Sequence, residues 1–313
     1  MEHIVLSHMA KHLSSNNILI NAQRGFRQRF SCETQLISAI HDWTKSINTR
    51  SQTDVILLDF SKAFDSVPHQ RLLMKLDYYG IRGNMLMWIK AFLSNRSLVN
   101  GIQSSSKPVL SGVPQGYILG PVLFLLYIND ISSSVKSRLR LFADNCILYR
   151  EIREVQDCWP LQDDLEQLSL CSNTWQLNFN VKKCYQLGIT CKKIPTMFQY
   201  SLAGQPLLES PQSSTLESLW QTICPGTSIS IRCVKRQILL LGYRRRILSG
   251  CDTKVKDTAY RTLVRPKLEY ACCAWNPFTK QNITQIEMVQ HRAVRFVLND
   301  YWPFMDDFYK WFE

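Results

Sequence analysis

No Cys-x-x-Cys pair occurs among the 11 cysteines, so a zinc ribbon or a dithiol redox motif finds no support. The cysteines are odd in number and scattered, and Cys272 and Cys273 are adjacent, which disfavours a disulfide framework. No apolar run reaches the ~18 residues that a membrane helix needs. The opening Met1-Glu-His-Ile-Val-Leu-Ser-His is too polar for a secretory leader. These absences predict an intracellular chain, nuclear or cytoplasmic, that is not secreted and has no membrane partner. No internal repeat is visible, which argues against a solenoid.

Acidic residues are also scarce. Against 37 Lys and Arg there are 25 Asp and Glu, giving a net charge of +12 and a pI near 9.2. That balance favours a polyanion as partner, nucleic acid before membrane. With 45% hydrophobic and 11% aromatic residues, the chain has ample material for a core and is not a disordered basic tail. Its 313 residues suit one large domain or two modest ones.

The hydrophobic pattern orders the first two thirds. Residues 31–48 read as a helix capped by Ser31, with Leu36, Ile37, Ile40 and Trp43 on one face. Residues 54–60 read as a buried strand. Pro68 opens a helix with Leu72, Leu73 and Leu76 inward and Gly80 just past its end. Further helices fall at 84–94, 119–131 and 159–175. Residues 97–111 read as extended, 138–149 as a hairpin and 185–190 as a strand. This order predicts an α+β fold, a split β-α-β sheet with helices on one face. From 195 to 233 the pattern fades into Ser, Pro, Gln and Thr. Helices resume at 234–249, 252–265 (capped by Asp252, stopped before Pro266) and 280–298, and they are basic.

Two acidic segments carry the chemistry. Asp59 ends the run Val55-Ile-Leu-Leu, and Asp144-Asn145 sits at the hairpin tip. Each has an ordinary reading, as a cap or a turn residue. Together they supply paired carboxylates at a sheet's rim, which can hold divalent metals for in-line phosphoryl transfer. Asp65 reads as a cap for the helix after Pro68. The loop Gly112-Val-Pro-Gln-Gly116 permits close backbone approach to a ligand, and Gln115 offers both a donor and an acceptor. Lys182-Lys183 reads as a solvated turn or, near a triphosphate, as a positive charge that neutralises the leaving group. Trp43, Trp88 and Trp175 read as core.

These segments, in order and at these spacings, resemble the reverse transcriptases of non-LTR (LINE-like, jockey-type) retrotransposons. The matching strings are Gln23-Arg-Gly-Phe-Arg27 with Glu33-Thr-Gln-Leu36, Leu58-Asp59-Phe60-Ser-Lys-Ala-Phe64-Asp65, Gly112-Val-Pro-Gln-Gly116, Phe142-Ala-Asp144 and Asn180-x-x-Lys183-Cys184. The resemblance implies a right-hand polymerase palm at 54–194, remnant fingers at 1–53, a degenerate linker at 195–238 and a helical thumb-like region at 239–313. It implies Asp59, Asp144 and Asn145 as catalytic, metal-holding residues for two Mg²⁺, with Mn²⁺ as a substitute. It places Phe60, Phe64, Gln115, Gly116 and Lys183 at the nucleotide, with Phe64 excluding a ribose 2′-hydroxyl. Arg27, Arg244, Arg245 and Arg246 would meet nucleic acid. The implied partners are an RNA template, a DNA primer and dNTPs; the oligomeric state is open.

The chain departs from that family's pattern in four respects. Asn145 stands where a second Asp is usual, and Tyr117 where a small Ser is usual. The family's endonuclease domain and the earlier part of the fingers do not precede Met1. Residues 214–238 resemble the family only after a one-nucleotide shift of reading frame. The alternatives are therefore an inactive nucleic-acid-binding remnant and a pseudogene product.

Overall fold

The computed structural model describes residues 2–94, 98–99, 102–103, 109–209, 247–269 and 280–298. The chain forms two compact units, Met1–Ser213 and Ser214–Glu313. Residues 214–238 and Arg244–Arg246 lie outside the described residues, as does most of the helix expected at 234–249.

In the first unit, α1 (Glu2–Ser15) and α2 (Cys32–Asn48) precede β1 (Gln52–Asp59). Two short two-residue strands, β2 (Leu98–Val99) and β3 (Ile102–Gln103), pair with each other after α3 (His69–Tyr78) and α4 (Gly83–Ser94). Then come α5 (Leu119–Tyr127), the hairpin β4 (Arg138–Phe142) and β5 (Asn145–Ile152), α6 (Cys158–Trp175) and β6 (Tyr185–Thr190). The hairpin β7 (Ser201–Leu202) and β8 (Gln205–Pro206) and the edge strand β9 (Leu208–Glu209) close the unit. The main sheet runs β4-β5-β1-β6-β9. β1 is antiparallel to both β5 and β6, and its register sets Asp59 opposite Asn145.

Helices cover both faces of this sheet, not the single face expected. Ile56, Leu58, Cys146 and Leu148 point into the large core with α3, α5 and α6. Alternate residues Val55, Leu57, Ile147 and Tyr149 are equally buried under α2, which packs on β1, β4 and β6. A strand covered on both faces reads as a continuous apolar run, which is why β1 shows no alternation. α2 starts at a capping box between Ser31 and Thr34, a device that contributes about 1 kcal/mol. Its buried face is Cys32, Gln35, Leu36, Ala39, Trp43 and Ser46. Ile37, expected inward, is exposed, because Leu36 and Trp43 set the helical phase.

The palm boundary expected at 194 falls inside the first unit. Tyr200, Leu202 and Leu207 are buried in the core, and the Tyr200 hydroxyl donates to Asp54 on β1 at 2.7 Å. Single buried side chains bounded by Gly204 and Pro206 give no period, so this segment looks patternless in sequence.

The second unit holds α7 (Thr253–Leu263), α8 (Arg265–Glu269) and α9 (Lys280–Leu298), with α7 packed on both others. Asp252 caps α7 as expected, accepting from the Val255 N–H at 2.8 Å. α7 ends at Leu263, before Pro266 as expected; Pro266 then lies in the first turn of α8, where its missing N–H costs nothing. Among the described residues no helix is long and apolar enough to cross a membrane.

Candidate active site

β1 delivers Asp59 to the end of the sheet, and the β4–β5 turn delivers Asp144 beside it, one residue beyond the Asp59–Asn145 pair. Both carboxylates are half-buried. Burial raises the Asp144 carboxyl above its ordinary value. Its own backbone N–H opposes this, the negative charge of Asp59 adds to it, and Lys183 opposes it. The two carboxylates therefore sense each other, and a lysine senses both. Lys183 Nζ lies 3.4 Å from Asp59 Oδ2. It is carried there by pairing beyond β1: the Ser61 N–H donates to Asn178 O, and the Asn180 N–H to Asp59 O, both at 2.8 Å. A 3₁₀ turn at Val181–Lys183 then lifts the lysine to the rim.

The Asp144 turn is clamped from outside the sheet. The Gln23 side-chain amide donates to Ala143 O at 3.1 Å, and its oxygen accepts from Ala143 N at 3.1 Å and Gly25 N at 2.8 Å. Ala143 adopts a left-handed φ of 55°, a strained state that these bonds hold. A Cβ on Gly25 would come within 2.3 Å of Ala143 N, so only glycine permits the approach. The string Gln23-Arg-Gly was visible in sequence; its role as a clamp was not, because a contact across 120 residues leaves no local signal.

The Gly112–Gly116 loop is pinned to the segment after β1. The Gly112 N–H donates to Val67 O at 2.8 Å, the Val113 N–H donates to Phe64 O at 2.7 Å, and the His69 ring bonds Gly112 O at 2.8 Å. Gln115 donates to Asp65 at 3.3 Å. Asp65 is thus a loop partner and not the expected helix cap; α3 has Pro68 at its cap position and no side-chain cap bond. Phe64 stacks on Phe124 at 4.6 Å. Gly116 has a φ of 84° and open space around its α-carbon. Tyr117 is exposed and meets the Phe92 ring edge-on.

Two expected site residues face elsewhere. Phe60 is 4% exposed and stacked on Phe179, so its ring belongs to the core because the alternation of β1 turns it away from Asp59. Arg27 donates to Ile20 O at 2.7 Å and Gln23 O at 3.0 Å and lies over the Phe30 ring. Its guanidinium braces the Gln23 loop. Trp43 is buried as expected, and Trp88 and Trp175 pack against the main core partly buried.

Among the described residues no group of three His, Cys, Asp or Glu forms a self-sufficient metal cage. Two carboxylates and an amide do fit a hard cation that completes its shell with water and substrate phosphates.

Residues 1–244 match the family described as reverse transcriptase (RNA-dependent DNA polymerase). The chain belongs to the reverse transcriptase family. The probable RNA-directed DNA polymerase from transposon X-element of Drosophila melanogaster is 24% identical over 322 aligned residues, covering 96% of this chain and 34% of that protein. The counterpart from transposon BS is 25% identical, covering 94% and 34%. That from the mobile element jockey is 21% identical, covering 96% and 34%. This reverse transcriptase chain thus spans about a third of the length of these curated relatives. Telomerase from Candida tropicalis in complex with a fragment of telomeric RNA has a TM-score of 0.45 at 10% identity, covering 99% of this chain and 56% of that one.

Proposed function

We propose that this chain carries out RNA-templated DNA synthesis, extending a DNA primer with dNTPs inside the cell. The observation that carries the reading is the convergence of Asp59, Asp144 and Lys183 at one end of the sheet. Asp59 and Asp144, with the Asn145 amide oxygen, would hold two Mg²⁺, or Mn²⁺ in their place. The bound ions would acidify the primer 3′-hydroxyl and offset charge on the departing pyrophosphate. Lys183 places a positive charge beside Asp59, where a triphosphate would lie. Phe64, braced by Phe124, supplies the wall that rejects a 2′-hydroxyl. Gln115, held by Asp65, and Gly116 present backbone and amide groups to the nucleotide. The palm is residues 54–194 together with the strands to 209; residues 1–53 serve as fingers, and the basic helices after 239 serve as the thumb, gripping backbone without reading sequence.

The test is extension of oligo(dT) on poly(rA) with dTTP and Mg²⁺. Wild type should extend, and Asp144→Ala should lower the rate by about a hundred- to a thousandfold, the scale of losing a group that stabilises transition-state charge. Extension unchanged by Asp144→Ala would sink the assignment. Asn145 favours a second reading, a nucleic-acid-binding remnant without catalysis, because it removes one charge from the metal site. Salt-dependent RNA binding with no extension at any Mg²⁺ or Mn²⁺ concentration would select it.

A further inference from the structure

A cavity of about 310 Å³ opens at the far end of the same strands, between α2 and the β4–β5 hairpin. Five basic and two acidic side chains line it. Both acids are already engaged. Asp42 pairs with Arg138 and Arg140 and takes the Tyr149 hydroxyl; Glu151 pairs with Arg153 at 3.2 Å. Lys45, Lys136 and Arg150 form no ion pair among the described residues.

The walls are fixed in place. Asp164 on α6, 2% exposed, accepts from the backbone N–H groups of Lys136 and Ser137 at 2.8 and 2.7 Å. Arg150 Nη1 lies 3.5 Å from the Ser137 hydroxyl. Thr53 on β1 also lines the cavity; it is 2% exposed, and its Oγ1 has no hydrogen-bond partner among the described residues.

Cations without an ion-pair partner around a cavity suit an oxyanion. A phosphate offers acceptors only, enough of them for the Arg150 fork and the lysines together. Arg138 and Arg153, 62% and 72% exposed, stand at the rim, where successive phosphates of a strand would meet them and a lone ion would not. We propose that this cavity binds a backbone phosphate of single-stranded RNA. It is separate from the carboxylate site. Thr53 and Asp59 share one face of β1 about 20 Å apart, at ~3.3 Å per residue, and α2 with the buried Trp43 covers the face between. The site does not depend on the polymerase reading.

The test titrates a labelled single-stranded RNA of about 20 nucleotides against the full chain over a range of salt. Lys136→Ala with Arg150→Ala should weaken binding about tenfold at low salt. It should also flatten the log affinity–log salt slope by about 0.7, for the one phosphate no longer neutralised. Lys136→Ala alone should weaken binding severalfold, and melting curves check that each variant is folded. Inorganic phosphate is the second probe. Phosphate binding lost in the double variant, with RNA affinity and slope at wild-type values, would assign the site to free phosphate and overturn the RNA assignment. Wild-type RNA binding in every variant, with no phosphate binding, would overturn the site altogether. Primer extension on the same preparations keeps the two claims apart, since its failure leaves these slopes to be judged alone.

Discussion

Asn145 is the residue on which activity turns. It faces Asp59 across the β1–β5 ladder, so its side chain stands where a third carboxylate would join the other two. An amide lends an oxygen without a charge, and a cation site with one charge fewer binds Mg²⁺ more weakly. Asn145→Asp should lower the Mg²⁺ concentration for half-maximal extension by about tenfold or more, and a Mg²⁺ titration of the primer-extension rate reads it. The same variant should be less stable without metal, because Asp144 already carries a carboxyl raised by burial and by Asp59, and a third negative charge adds to that repulsion. A gain in melting temperature on adding Mg²⁺ that is larger in Asn145→Asp than in wild type would be the matching signature.

At the scale of elements, the Asp144 turn is held by a loop that never touches substrate in the proposed mechanism. Gly25→Ala sets a Cβ 2.3 Å from Ala143 N, so either the Gln23 loop or the turn must move. A shift of about 1 Å in a reacting group costs roughly a hundredfold, and extension should fall by that order with the fold kept, as checked by rate assays beside circular dichroism. The network on the other face of the sheet predicts an acid response. Burial pushes the Asp42 carboxyl up, but hydrogen bonds from Tyr149, Arg140 and Arg138 outweigh it and hold it at about 2. Its folded value lies below its unfolded one, so the stabilisation is complete above about pH 4 and is lost as pH falls towards 2. Asp42→Ala should cost about 3 kcal/mol at pH 7 by leaving Arg140 buried beside no acid, and urea midpoints at pH 7 and pH 3 should converge between variant and wild type. These elements also mark what sequence could and could not carry. β1, the capped helices and the Asp59 and Asp144 positions were legible because period, caps and turn residues are local. The Gln23 clamp, the role of Asp65 and the inward turn of Phe60 were not, because each is decided by a partner far along the chain or by which face of β1 meets which layer.

For the whole molecule, the chain matches about a third of the length of its curated relatives, and that third divides into two units. The main hydrophobic cluster runs from Val5 to Leu207 and lies entirely within the first unit. Every strand of the five-stranded sheet lies there too, including the edge strand Leu208–Glu209 that pairs with β6. Among the described residues, a fragment of 1–213 therefore keeps every strand of that sheet and the whole of that cluster, and should unfold in one cooperative step, with near-UV signal and tryptophan fluorescence giving coincident transitions. A fragment ending at 194 removes Tyr200, Leu202 and Leu207 from the core and leaves Asp54 without the Tyr200 hydroxyl. Three large apolar side chains lost at ~2–5 kcal/mol each approach the whole stability of a domain this size. The shorter fragment should show no such transition, and cooperative unfolding of 1–194 with the same midpoint as 1–213 would mean that residues 195–209 are an appendage of the sheet and not part of its core.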